Sequence, residues 1–172
     1  MRYIILIMVL IFAMSCNGKI DNKVDKKDDK TDNKTDNKQV FYSLKPYQVI
    51  ITADDKMDSV FGKDYRNWTP ANNDIEMAEK ILSFSFLDQS KPTVNRVAGK
   101  SLDDYNRQFV GAIDTNGDKI VWINCFCKNE AGSFKDWKEK IVYSSKPENC
   151  FFNLIANLTK NSYTNFKVNG YR

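Results

Sequence analysis

"NRQFVGAIDTNGDKIVWINCFCK", residues 106–128, decides the fold. Two runs rich in β-branched and aromatic residues flank Asn116-Gly117, a dipeptide that tolerates the left-handed backbone of a tight hairpin. The stretch therefore predicts two antiparallel strands joined by a turn. Gly111, inside the first run, predicts a bulge or a bend over a helix. Asp114 through Asp118 also has the look of a calcium loop. An EF-hand loop closes on a glutamate, however, and that place here is Cys125; strands rather than helices flank it, so the reading is a plain turn.

The strand period assigns faces. Val121, Ile123, Cys125 and Cys127 share one side of the second strand. In "CFFNLIANL" (150–158), Cys150, Phe152, Leu154, Ala156 and Leu158 do the same, and in "YTNFKVNGY" (163–171) so do Phe166 and Val168. These form an apolar face suited to a helix. The opposite face carries Trp122, Asn124, Phe126, Phe151, Asn153, Ile155, Asn157, Tyr163, Asn165, Lys167, Asn169 and Tyr171. Aromatic rings set among amides can receive a sugar, a peptide or a protein. Trp122, Asn124, Phe151, Asn153, Tyr163 and Asn165 are the candidate binding residues. The competing reading is a half-wet sheet face, or one covered by residues 40–68.

The helix lies upstream, in "WTPANNDIEMAEKILSFSF" (68–86). Thr69 can cap it and Pro70 suits the first helical position. Ile75, Ala78, Ile81, Leu82 and Phe86 recur at helical spacing, which predicts an amphipathic helix from 70 to about 83. Glu76, Glu79 and Lys80 are assigned to the solvated faces. "YQVIITA" (47–53) reads as a first strand. "KEKIVYSS" (138–145) and residues 150–158 read as a second hairpin turned by "KPEN", where Pro147 and Asn149 fit a turn. The fold class is thus α+β, with one helix on a curved antiparallel sheet of about four to five strands. This element order is similar to the cystatin-like arrangement, a likeness of layout that carries no function.

Cysteine and histidine usage narrows the chemistry. The chain has four cysteines and no histidine. Cys125, Cys127 and Cys150 fall on one face, where an oxidising compartment favours one bridge, with Cys127–Cys150 the candidate pair. Without histidine, Ser-His-Asp and Cys-His nucleophile systems are excluded. Cys125, Cys127 and Cys150, with no histidine to join them, fall short of the four ligands of a structural zinc site. No cofactor is indicated. Catalysis by carboxylates or lysine stays open, but no pair is singled out by spacing.

The N-terminus gives an address. Arg2 precedes a run of apolar residues from 3 to 14, followed by Ser15 and Cys16. The run is shorter than the roughly 20 residues of a bilayer-spanning helix and fits a secretory signal peptide. Ala13-Met14-Ser15-Cys16 resembles the lipobox of bacterial lipoproteins, departing from it in having Ala13 where leucine is usual. The resemblance implies a diacylglyceryl thioether on Cys16, cleavage before it and acylation of the new amine. Residues 1–15 are then the signal peptide, 16–39 the lipidated cysteine and a linker, and 40–172 one domain. The linker repeats Asp-Asn-Lys at 21–23, 32–34 and 36–38. So polar a stretch cannot bury enough surface to offset its ordering entropy, which predicts disorder. As a tether it spans about 25 Å on average. The net charge of +4 is interleaved with acids, with no basic stripe carrying aromatics, so nucleic acid is not an expected partner.

"YNRQFVGAIDTNGDKIVWINCFCK" and "NCFFNLIANLTKNSYTNFKVNGY" are similar to stretches of small Bacteroidetes lipoproteins of no known activity. Asp58-Ser59-Val60 fits the O-glycosylation pattern of that phylum, which makes Ser59 a candidate acceptor. The expected role is a lipid-anchored envelope module that meets the membrane through its lipid and binds an envelope protein or a glycan, on the periplasmic or surface side. A cystatin-like inhibitor, a chaperone-like partner of an envelope protein and a histidine-free enzyme are the alternatives.

Overall fold

The computed structural model describes residues 42–52, 57–88, 97, 101–143 and 150–168. The leader, Cys16, the linker, the turn at 146–149, Asn169 and Tyr171 lie outside the described residues. All described residues belong to the unit Gln39–Arg172.

Strand β1 (Gln48–Ile50) comes first, followed by the single-turn helix α1 (Met57–Val60) and the short strand β2 (Arg66–Asn67). The long helix α2 (Asn72–Leu87) leads to strands β3 (Tyr105–Ile113), β4 (Lys119–Cys127), β5 (Phe151–Asn157) and β6 (Ser162–Val168). The class is α+β, with one main helix against one open sheet. Six strands make up the sheet, in the order β1-β3-β4-β5-β6, with β2 also paired to β3. It is mixed rather than antiparallel, because β1 runs parallel to β3. The chain between them contains α2, the kind of long crossover that a parallel pair requires. β1 lies along Arg107–Phe109 and β2 along Ala112 and Ile113.

The β3–β4 hairpin forms as its sequence predicts, with every residue from Tyr105↔Cys127 to Ile113↔Lys119 in register. Gly117 sits at φ +86°, where a side chain would be strained. Its N–H donates to the Asp114 carbonyl, and the Asp114 carboxylate accepts from the N–H groups of Asn116 and Asp118 at 2.8 and 2.9 Å. That carboxylate therefore holds the turn. Asp118 is engaged by Lys160 at 2.5 Å and by the Asn157 amide at 2.9 Å. These bonds lower its pKa, with the Lys160 hydrogen bond the larger cause.

Helix α2 starts two residues later than Thr69 and Pro70 suggest. Ala71 is its N-cap, and the Asp74 carboxylate accepts the Ala71 N–H at 2.9 Å. Pro70 is instead packed under the sheet. Gly111 forms no bulge: it pairs regularly with Val121. A Cβ there would lie 2.6 Å from Pro70 Cγ and Cδ and from the Trp68 carbonyl. The glycine admits the segment that leads into the helix. Ile75, Ala78, Ile81 and Leu82 are buried as their spacing predicts, with Phe86 half-buried. They join Phe109, Val121, Ile123, Phe152 and Leu154 in the main core.

Two strand assignments change. The segment "KEKIVYSS" is not a strand in its described part, and β4 pairs directly with β5. Residues 128–143 instead form a 3-10 turn (Lys128–Ser133) and a strap. The strap's polar backbone bonds to side chains of the sheet rather than to a ladder. Gln108 Nε2 donates to the carbonyls of Trp137 and Lys140 at 2.5 and 2.6 Å. Gln108 Oε1 accepts from the Val142 N–H, and Asn124 Nδ2 donates to the Val142 carbonyl. In β6, Thr164 faces Ile155 and Lys167 faces Asn153, so Asn165 and Phe166 together oppose Leu154. This bulge, with Asn165 at φ +55°, reverses the side-chain parity of the strand.

Candidate binding site

The outer sheet face is largely occupied by the chain itself, which corrects the expectation of an open aromatic and amide surface. Trp122 is 8% exposed and packs with Ile51, Val110, Ala112 and Ile120, flanked by Val60, Phe61, Tyr65 and Ile141. Phe151 is buried against Phe134 and Phe126, and Phe126 also meets Trp137 edge-on. Asn124 is buried and bonded to Gln108 and to the strap. Tyr163 is on the helix side, because the β6 bulge moves it there opposite Ala156. Only Trp122, Asn153 and Asn165 converge, around a hollow of about 140 Å³ shared with Ser59, Tyr143 and Lys167. That is smaller than the roughly 300–1,000 Å³ of ligand pockets. Ser59 is exposed, and its hydroxyl is 3.0 Å from the Tyr143 hydroxyl.

Cys127 and Cys150 form the disulfide named as the candidate pair, with Cα atoms 5.1 Å apart. They adjoin because Phe126 and Phe151 close the β4–β5 register one step earlier. Cys125 is a buried free thiol, and burial pushes its pKa up. Among the described residues, no group of three or more His, Cys, Asp or Glu is placed to hold a metal ion.

A larger concavity lies on the other side. Lys80, Ile81, Phe84 and Asp88 of α2 and its C-cap face Asn161, Ser162 and Tyr163 across a cleft of about 540 Å³. Helix spacing places Ile81 inward and Phe84 outward: Ile81 is buried, whereas Phe84 is 69% exposed. Met77 and Leu87 continue this exposed apolar stripe at seven and three residues from Phe84. At the polar wall, the Tyr163 hydroxyl donates to Asp88 Oδ2 at 2.6 Å. Desolvation, and then that bond, push Tyr163 up to about 12. None of the cleft residues except Tyr163 belongs to the predicted face. The signal for Phe84 was present in the sequence, since a phenylalanine off the Ile75–Leu82 stripe must face outward.

A second missed cluster is the pair Arg107–Glu79. Arg107 stands at a core-facing phase of β3, between Tyr105 and Phe109, and its side chain is 2% exposed. Glu79 is only 16% exposed, so it is not a solvated helix charge. Their Nε and Oε1 atoms are 3.3 Å apart. Arg107 Nη2 donates to the Leu102 carbonyl at 2.6 Å, and the guanidinium lies 5.1 Å from the Tyr47 ring centre. Burial raises the Glu79 pKa above the ordinary carboxylate range, with the Arg107 charge opposing it.

No protein-family model, curated protein or solved structure matches the chain.

Proposed function

We propose that this chain is a non-catalytic binding module of the cell envelope, anchored to the membrane by lipid at Cys16. The leader and the small residues before Cys16 support the anchor, and the Cys127–Cys150 disulfide accords with an oxidising compartment outside the cytosol. The binding role rests on one observation, the cleft beside the exposed Phe84. A solvent-facing aromatic over a buried floor and a polar wall is what a ligand site needs. Glu79, Asp88 and Asp118, carboxylates that the fold brings beside other polar groups, are engaged by Arg107, Tyr163 and Lys160, which favours binding over catalysis.

Two experiments test the two halves. In cells fed labelled palmitate, wild type is expected to carry label and Cys16→Ser to remain uncut and unlabelled. Equal labelling of both contradicts the anchor. Acylated wild type and Phe84→Ala, each captured from its own membranes, are then compared by mass spectrometry of proteins and glycans. A companion held by wild type is expected to be lost from Phe84→Ala. Identical capture contradicts the cleft as the binding site.

A further inference from the structure

We infer that the cleft beside Phe84 takes a neutral carbohydrate, an assignment that rests on reading the chain as a binding module. The two walls of the cleft differ in chemistry. Phe84 offers an exposed aromatic ring from the helix, one turn from the buried Ile81. Asn161, Ser162 and Tyr163 offer an amide, a hydroxyl and a phenol from the other side, and the phenol bonds across to the Asp88 carboxylate at the end of the helix. A sugar ring has matching sides. Its C–H face lies against the negative face of an aromatic ring, and its hydroxyl rim exchanges hydrogen bonds with polar groups.

Other ligand classes fit less well. A fatty chain would cover the polar wall without replacing its hydrogen bonds to water, which is unfavourable. A small anion would meet the Asp88 carboxylate in the same cleft, and Lys80, the lining cation, is shared with Glu76 at 2.8 Å. An extended peptide would add to β6, the last strand in the sheet order. That edge is broken by the bulge at Asn165 and carries Lys167, two features that block strand addition. The volume of about 540 Å³ lies within the range of small-molecule sites.

The full acylated protein, in detergent micelles, is applied to an array of neutral oligosaccharides. Wild type is expected to be retained on at least one of them. Phe84→Ala is expected to weaken that retention by about tenfold or more, as loss of a stacked ring does, while Phe84→Trp keeps it. Both variants are expected to melt like wild type, since the Phe84 side chain is largely exposed. Retention unchanged by Phe84→Ala overturns the proposal. If no oligosaccharide is retained but capture from membranes still depends on Phe84, the carbohydrate assignment is overturned and the binding role stands. If neither depends on Phe84, both are overturned.

Discussion

Arg107→Ala is expected to remove about 3–5 kcal/mol of folding stability, because it leaves the Glu79 carboxylate buried without its counter-charge. The guanidinium is almost fully enclosed and also bonds the Leu102 carbonyl and rests near Tyr47. The double variant Arg107→Met/Glu79→Leu is expected to recover most of the loss, since it removes both charges at similar volume. Equilibrium urea unfolding of the single and double variants checks this. The pair also sets a pH dependence. Glu79 is raised above its ordinary value of 4.5, so the folded protein holds this proton more tightly than the unfolded chain does. That contribution is fully present below the ordinary value and is lost as pH rises through the raised one. The stability of wild type minus that of Glu79→Gln is therefore expected to fall as pH climbs above about 4.5. Groups such as Asp118, lowered in the folded state, act in the opposite direction but are common to both proteins and cancel. A difference that rises with pH would contradict the assignment.

Trp122→Ala is expected to cost about 3–5 kcal/mol as well, the range for an aromatic deleted from a packed site. Trp122 closes the smaller core on the outer face, where Val110, Ala112 and Ile120 meet the segment bearing Val60, Phe61 and Tyr65. Urea unfolding would then show a large fall in midpoint. A variant as stable as wild type would mean that the indole is open to solvent and that the outer face is a free surface after all.

Those two positions show what the sequence makes legible. Period and turn chemistry were enough for the β3–β4 hairpin and for the buried stripe of α2, because both depend on local spacing. The strap was not legible in this way. Ile141, Val142 and Tyr143 have strand composition, but the backbone partners of Val142 are the side chains of Gln108 and Asn124, more than fifteen residues away. Composition cannot announce a side chain that replaces a ladder. The β6 bulge is a different failure: one extra residue at Asn165 moves Tyr163 to the other face, and period two carries no warning of a slip. The parallel pairing of β1 depends on where the chain returns after α2, which is tertiary. Arg107 and Glu79 were readable in principle. A charge at a core phase of β3, and another on the helix three residues before Leu82, are each anomalous, and together they mark a buried pair.

Trp122 and Phe151 of the outer face are buried while Phe84 stands exposed at the cleft. Hydroxyl-radical footprinting of the full acylated chain, read residue by residue in a mass spectrometer, tests this contrast most directly. Phe84 and Leu87 are expected to be modified rapidly, and Trp122 and Phe151 to be protected until the protein unfolds. Addition of a retained neutral oligosaccharide is expected to slow modification at Phe84 and leave Trp122 unchanged. Modification of Trp122 as fast as Phe84 in the folded protein, or ligand protection at Trp122 rather than Phe84, would contradict the account.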